Sequence, residues 1–148
     1  MQLIWSIKSF DELTPLELYK IIQLRIEVFV VEQNCPFQDA DNKDQRSFHV
    51  MGWIQDRLVA YARIVPPGLA FILPSIGRVV TSKEVRGTGA GRELMEKSIQ
   101  FLYEIFGRSS IQIGAQLYLK NFYASFGFIP CSEVYLEDGI EHIYMIKD

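Results

Sequence analysis

A chain of 148 residues is most simply one domain, long enough to bury a proper core. With 49% hydrophobic and 22% charged residues it does not read as disordered, and no apolar run approaches the roughly 20 residues of a membrane-crossing helix. The formal net charge of −3 comes without any basic cluster, which argues against nucleic acid as the main partner.

Residues 2–8 read as a first strand. Their opening lacks the basic start and long apolar stretch of a signal peptide, and Cys35 and Cys131 make no disulfide framework, so the expected compartment is the cytoplasm. Thr14 is placed to cap a helix that Pro15 opens and that runs from about Leu16 to Val31. Leu18, Ile21, Ile22, Arg25, Val28 and Phe29 fall on one face of it, and Arg25 is read as a surface-reaching arginine whose stem packs on the core. Residues 32–45 form an acidic, proline-containing loop, expected to be solvated and to border a substrate pocket. Asp39, Asp41 and Asp44 suggest calcium, but Asp44 stands at the sixth position, where glycine belongs, and Val50 at the twelfth, where a glutamate belongs. No metal is expected there.

Ser47 to Gln55 and Leu58 to Val65 alternate in polarity and read as an antiparallel hairpin joined at Asp56-Arg57. In the first run Phe48, Val50, Gly52 and Ile54 oppose His49, Met51 and Trp53. Leu69 to Thr81 resumes β character across Pro74. The stretch from Gly77 to Met95 then passes from strand through a glycine-rich loop into an amphipathic helix, on which Met95, Ile99, Leu102 and Phe106 recur at helical spacing and which Gly107 stops. A short strand, Ser110 to Ala115, leads to a second amphipathic helix, Gln116 to Phe126. Phe128 to Leu136 and Ile140 to Ile146 close the chain as strands around a Glu137-Asp138-Gly139 turn. The sum is a mixed α/β sheet with helices on its faces.

A glycine loop that opens a helix leaves several amides free at the positive end of the helix dipole, which suits a phosphate, and Arg86 adds a charge. A dinucleotide fingerprint is excluded because Arg92 follows Gly87-Thr88-Gly89-Ala90-Gly91 where a third glycine would be needed one place on. A Walker loop is excluded because Gly-Lys-Ser/Thr is absent. Arg86, Gly89 and Gly91 do match Arg/Gln-x-x-Gly-x-Gly/Ala.

Together with the later Phe122-Tyr123-Ala124-Ser125-Phe126-Gly127-Phe128 block, that loop resembles the GNAT superfamily of acetyl-CoA-dependent N-acetyltransferases. Leu24-Arg25, Val28 to Gln33, Cys35-Pro36, Asp39 and Asp41 are similar to its ElaA-like branch. The resemblance implies one GNAT-like domain over residues 1–148, with a central, mostly antiparallel sheet flanked by helices. It implies acetyl-CoA as donor and an amine as acceptor, without metal, nucleic acid or membrane as partner, and leaves a homodimer open. The cofactor contacts it implies are Val79, Val80, Thr81, Arg86, Gly87, Thr88, Gly89, Ala90, Gly91, Arg92 and Asn121. Tyr123 would protonate the departing thiolate, although its helical spacing also fits a plain core aromatic.

The chain departs from the family pattern at Gln116, where asparagine is frequent, and at Leu119, where a small residue is common. No glutamate on the strand before the loop matches the base of some members, so Glu32, Asp39, Asp41, His49 and a water chain all stay open. Cys35 has no adjacent basic partner, and Cys35, His49, Cys131 and His142 lack zinc spacing. The acidic loop is expected to draw cationic amines, so that neutralising Asp39 and Asp41 raises the acceptor KM. A regulatory module that binds acyl-CoA without turnover is the rival reading.

Overall fold

In the computed structural model, which describes residues 2–148, period-two patterning builds the first sheet. β2 (Phe48–Ile54) and β3 (Arg57–Val65) pair antiparallel about a Gln55-Asp56 turn in which Gln55 takes φ 54°. β1 (Ile4–Ser9) joins one edge and β4 (Ser75–Thr81) the other, all antiparallel. The expected alternation decides what each face meets. Val50, Ala60, Ala62 and Ile64 look toward Leu94, Met95 and Leu102 of α2 (Ala90–Phe106). Met51, Tyr61 and Val80 look toward Ile21, Leu24 and Val28, from α1 (Pro15–Ile26) and the turn after it. One sheet is thus covered by a helix on each side.

The start of α1 is as the sequence implies. Thr14 Oγ1 accepts from the Glu17 amide at 3.1 Å, and Glu17 Oε1 accepts from the Thr14 amide at 2.8 Å. The helix continues past Ile26 as wider π-helical turns over Glu27–Glu32, so its expected reach to Val31 holds while its pitch changes. Its buried stripe differs from the expected one: Ile22 is exposed and Leu24 takes the core place.

β5 (Ile111–Gln116) pairs with β8 (Ile140–Lys147), which also pairs with the short β6 (Ile129–Pro130) and β7 (Tyr135–Glu137). Three expected elements are shorter than the polarity pattern suggested. Residues 69–74 are not strand, because Gly68 turns the chain and donates to the Phe71 carbonyl at 2.7 Å. Gln116 ends β5, and one 3-10 turn separates it from α3 (Lys120–Ala124). The run 128–136 breaks after Pro130: the Cys131 amide still donates to the Tyr144 carbonyl at 2.8 Å, but residues 131–134 are not strand. The final turn is two residues, Asp138 (φ 51°) and Gly139 (φ 77°), the left-handed pair that a tight hairpin requires. Among the described residues no helix is long and apolar enough to cross a membrane.

β4 and β5 are neighbours without being partners. Outside the ladders, the Gln112 amide donates to the Pro74 carbonyl at 3.1 Å where the two strands begin. Beyond that point no ladder joins the two sheets, and a cleft opens between them.

Candidate functional site

The cleft has a volume of about 510 Å³. Ile76 to Thr81 of β4 form one wall, Ile113, Gly114 and Gln116 of β5 the other, and Tyr118, Leu119, Phe122 and Tyr123 line it from α3 and the turn before it. Val28, Phe29, Glu32, Gln33, Cys35 and Phe37 face Glu137, Asp138, Ile140 and His142 across one end of it. Arg86 and Gly91 mark another part of its lining.

β4 carries a bulge inside the cleft wall. Arg63 pairs with Gly77 and Tyr61 with Val80, so Arg78 and Val79 stand against Ala62 alone. Arg78 takes φ 51°, a left-handed conformation that costs a non-glycine residue about 1–2 kcal/mol. Its guanidinium provides the compensation: it donates to Asp39 Oδ1 and to the Asp39 carbonyl, both at 2.9 Å, and lies over the Phe37 ring at 5.7 Å. The acidic loop therefore holds the cleft wall in shape.

Two expectations fall here. Arg25 is not surface-reaching: it is 1% exposed, with Nε on Asp39 Oδ2 and Nη1 on Asp44 Oδ1, both at 2.8 Å. The loop is not simply solvated either, because Asp39 and Asp44 are buried. Arg63 Nη1 donates to Asp44 Oδ1 at 2.7 Å and to Asp41 Oδ1 at 2.8 Å, and its Nη2 reaches Asp41 Oδ2 at 2.8 Å. Burial works to raise the Asp41 and Asp44 carboxyls, but Arg63, the Lys43 amide and Arg78 at Asp41, and Arg25 and Arg63 at Asp44, prevail and hold both below the ordinary carboxylate range. An aspartate committed to buried arginines is not free to attract amines, so neutralising Asp39 and Asp41 would disturb the fold before it reported on an acceptor.

His49 belongs to the same network and lies outside the cleft lining. Its Nε2–H donates to the Asp44 carbonyl at 2.9 Å, and its Nδ1 accepts from the Tyr61 hydroxyl at 2.7 Å. Burial lowers its pKa and keeps it neutral. Glu32 lines the cleft but is paired with Arg86 Nη2 at 2.9 Å.

The glycine loop is left open. Gly87 (φ 80°) and Gly89 (φ 88°) are left-handed, and a Cβ at either would meet nothing within 4 Å, so the requirement is for backbone shape and for free space above it. Gly89 is the N-cap of α2 and offers no side chain, and the Glu93 amide is the one that bonds back to its carbonyl at 3.1 Å. The first-turn amides of Ala90, Gly91 and Arg92 are open to an anion. Thr88 folds back onto the Val85 carbonyl, and Ala90 is buried. Arg86 Nη2 donates to the Thr81 carbonyl at 3.0 Å, linking loop to strand. Arg92 turns aside to Ser125 Oγ at 2.9 Å and over the Phe126 ring at 4.5 Å. Asn121 is exposed on α3 and does not line the cleft.

Tyr123 is 7% exposed and lines the cleft, and among the described residues burial and Tyr118 act on its hydroxyl, with no hydrogen bond to it. Burial, assisted by Tyr118, raises its pKa, so the phenol stays protonated at neutral pH. A buried tyrosine hydroxyl ordinarily finds a partner, and one left without a protein partner in a cleft is available to a ligand.

The other end of the cleft is closed by side-chain bridges. Gln33 Nε2 donates to Gln116 Oε1 at 3.2 Å, which gives the unusual Gln116 a structural partner. Cys35 Sγ donates to the Asp138 carbonyl at 3.3 Å. His142 lies beside them, its Nδ1–H donating to the Ile140 carbonyl at 2.7 Å. The sequence considered His142 only as a zinc ligand. The signal was present nonetheless: a two-residue Asp138-Gly139 turn fixes Tyr135 opposite His142 and puts Glu137 on the same face.

The sequence profile of the acetyltransferase (GNAT) domain matches residues 19–148. Protein ElaA of Escherichia coli is 45% identical over 97% of this chain and 95% of its own, and its crystal structure superposes with a TM-score of 0.93 over 99% and 100% of the two chains. A UPF0039 protein of Synechocystis is 44% identical over 99% of this chain and 96% of its own. The crystal structure of an acyl-CoA N-acyltransferase from Pseudomonas aeruginosa is 41% identical, with a TM-score of 0.95 over 99% of this chain and all of that one.

Proposed function

The chain belongs to the GNAT acetyltransferase family, in its ElaA-like branch, and from that premise we propose that it moves an acetyl group from acetyl-CoA to a primary amine by direct attack, as one domain working in the cytoplasm. The observation that carries the reading is the Tyr123 hydroxyl, without a protein hydrogen bond in a cleft whose β4 wall runs on to the open amides of α2.

Bound acetyl-CoA supplies the acetyl group already activated as a thioester. The amides of Gly87 to Arg92 and the Arg86 guanidinium suit its diphosphate, and the free space above Gly87 and Gly89 lets that group approach the backbone. Arg86 must then leave Glu32 or share it. The backbone of Val79 to Thr81, next to the bulge, pairs with the extended pantetheine arm as a further strand would. An amide there holds the thioester oxygen as it gains negative charge. Tyr123 stands on the leaving-group side and donates to sulfur. Its raised pKa makes full proton transfer uphill, so its main service is a hydrogen bond that strengthens as the thiolate forms.

Thermal shift with acetyl-CoA, NAD and ATP, read beside free-thiol release with an amine panel, tests this. Acetyl-CoA is expected to raise the melting temperature and amines to release thiol. Stabilisation by NAD in place of acetyl-CoA would overturn the reading. Stabilisation by acetyl-CoA without thiol release points instead to an acyl-CoA-binding regulatory module.

A further inference from the structure

The reaction above lacks a group to take the proton from the acceptor, and the geometry points to His142 as that general base, with Glu137 seating the cation. This rests on the acetyl-transfer reading. Of the bases the sequence left open, Asp39, Asp41 and His49 are spent on the buried arginine network, and Glu32 stands beside Arg86, on the side proposed for the diphosphate. His142 is the remaining titratable nitrogen in the cleft lining.

Its tautomer is fixed by its partner. A carbonyl can only accept, so the 2.7 Å contact with Ile140 puts the proton on Nδ1, and the neutral ring carries a bare lone pair on Nε2. Nε2 lies 3.6 Å from Glu137 Oε2. Two acceptors at that distance, both beside the cleft, are unsatisfied by one another and are matched by a cation with more than one N–H. A primary ammonium fits: one N–H to Nε2 and another to the Glu137 carboxylate. The ring is kept in this orientation by stacking on Tyr135, with centroids 5.7 Å apart and planes at 28°. Tyr144 on the same strand packs on Tyr135 in turn, Asp138 stands in the hairpin turn with the Cys35 thiol bonded to it, and Tyr118 lines the same cleft. Among the described residues its one ion-pair neighbour is Glu137.

The added step is a proton transfer. One substrate N–H bond breaks, an N–H bond forms at Nε2, and the positive charge passes from substrate nitrogen to imidazolium beside Glu137. The freed lone pair attacks the thioester carbon, and His142 later returns its proton to water, which accounts for the one proton released per amide formed.

The test is free-thiol release from acetyl-CoA with benzylamine, putrescine and L-lysine, each across a pH series, in the wild type, His142→Gln and Glu137→Gln. His142→Gln is expected to lose about 10²–10⁴-fold in kcat/KM at neutral pH, the usual worth of a general base. Its acidic limb should move to the pH at which the amine itself deprotonates. Methoxyamine, which is uncharged at neutral pH, should shrink the deficit, and a merely structural role would not produce that rescue. Glu137→Gln should raise the KM for the charged amines more than it lowers kcat. On the unmodified protein, imidazole nitrogen NMR should show Nε2 of His142 without a proton at mildly alkaline pH and should report added benzylamine. An unchanged pH profile in His142→Gln, or a proton on Nε2 with none on Nδ1, overturns the base assignment and leaves acetyl transfer standing. No thiol release from the wild type with any amine removes both.

Discussion

The two arms that frame the cleft are held in opposite ways. The arm after α1 is fixed by side chains: Arg25, Arg63 and Arg78 lock Asp39, Asp41 and Asp44, and the loop has almost no freedom left. The glycine loop is tied at its start by Arg86 and Thr88, but beyond them its shape rests on two left-handed glycines and no side chain lies across its amides. A loop that must wrap a large anion keeps its donors unspent, while a loop that shapes a strand spends every charge it has. The same difference decides which arm tolerates change. Side-chain substitutions in the first arm should register as lost stability, and those in the second as lost affinity, its left-handed glycines aside.

The largest expected effect breaks the first arm. Arg25→Met leaves buried Asp39 with Arg78 alone and Asp44 with Arg63 alone, and is expected to cost about 3 kcal/mol of unfolding free energy, read by urea denaturation. A loss below about 1 kcal/mol, the usual ceiling for an exposed pair, would mean that the arginine network carries no more than surface bridges do. Tyr123→Phe changes chemistry between the arms. It is expected to lower kcat by about 10²-fold or more with little change in melting temperature, since the hydroxyl takes no hydrogen bond from the protein.

In the second arm, Arg86→Gln should weaken acetyl-CoA by about 1.5–3 kcal/mol, the worth of a charged hydrogen bond, and titration calorimetry would measure it. An unchanged affinity would mean that Glu32 retains Arg86 when ligand binds. Gly89→Ala should cost about 1–2 kcal/mol of stability from strain alone, because a Cβ there clashes with nothing. The smallest effect is a pH dependence. The folded pKa of His49 is depressed, so its contribution is complete above the unfolded value of about 6.5 and is lost as pH falls, at no more than about 1.4 kcal/mol per unit. The lowered Asp41 and Asp44 follow in more acid solution, their contribution complete above about pH 4 and lost below it. His49→Gln should abolish the first stage and leave the second.

What was legible in the sequence follows the same division. The glycine loop, Tyr123 and the β2–β3 hairpin are written in residues that lie close together, so spacing alone reaches them. The arginine network pairs residues up to 39 positions apart, and no local pattern says that Arg78 will reach back to Asp39. Arg25 looked like a surface arginine because its partners stand in a loop whose acidity looked like solvation. His142 is the intermediate case. The two-residue turn would have fixed its register against Tyr135, but its neighbours across the cleft come from the other end of the chain. The β character expected at 69–74 failed for a local reason, since Gly68 turns the chain against its own apolar run.

The bulge at Arg78 bears on how this enzyme can be redesigned. A loop beside a cleft invites transplantation between relatives, yet residues 33–45 are not a portable segment. Their carboxylates are counterweights to arginines on α1, β3 and β4, one of which keeps a left-handed backbone in place at the cleft wall. Grafting the loop without Arg25, Arg63 and Arg78 would bury three orphan charges and let the wall relax toward a regular strand. The smallest unit that can be exchanged intact is the loop together with its three distant anchors.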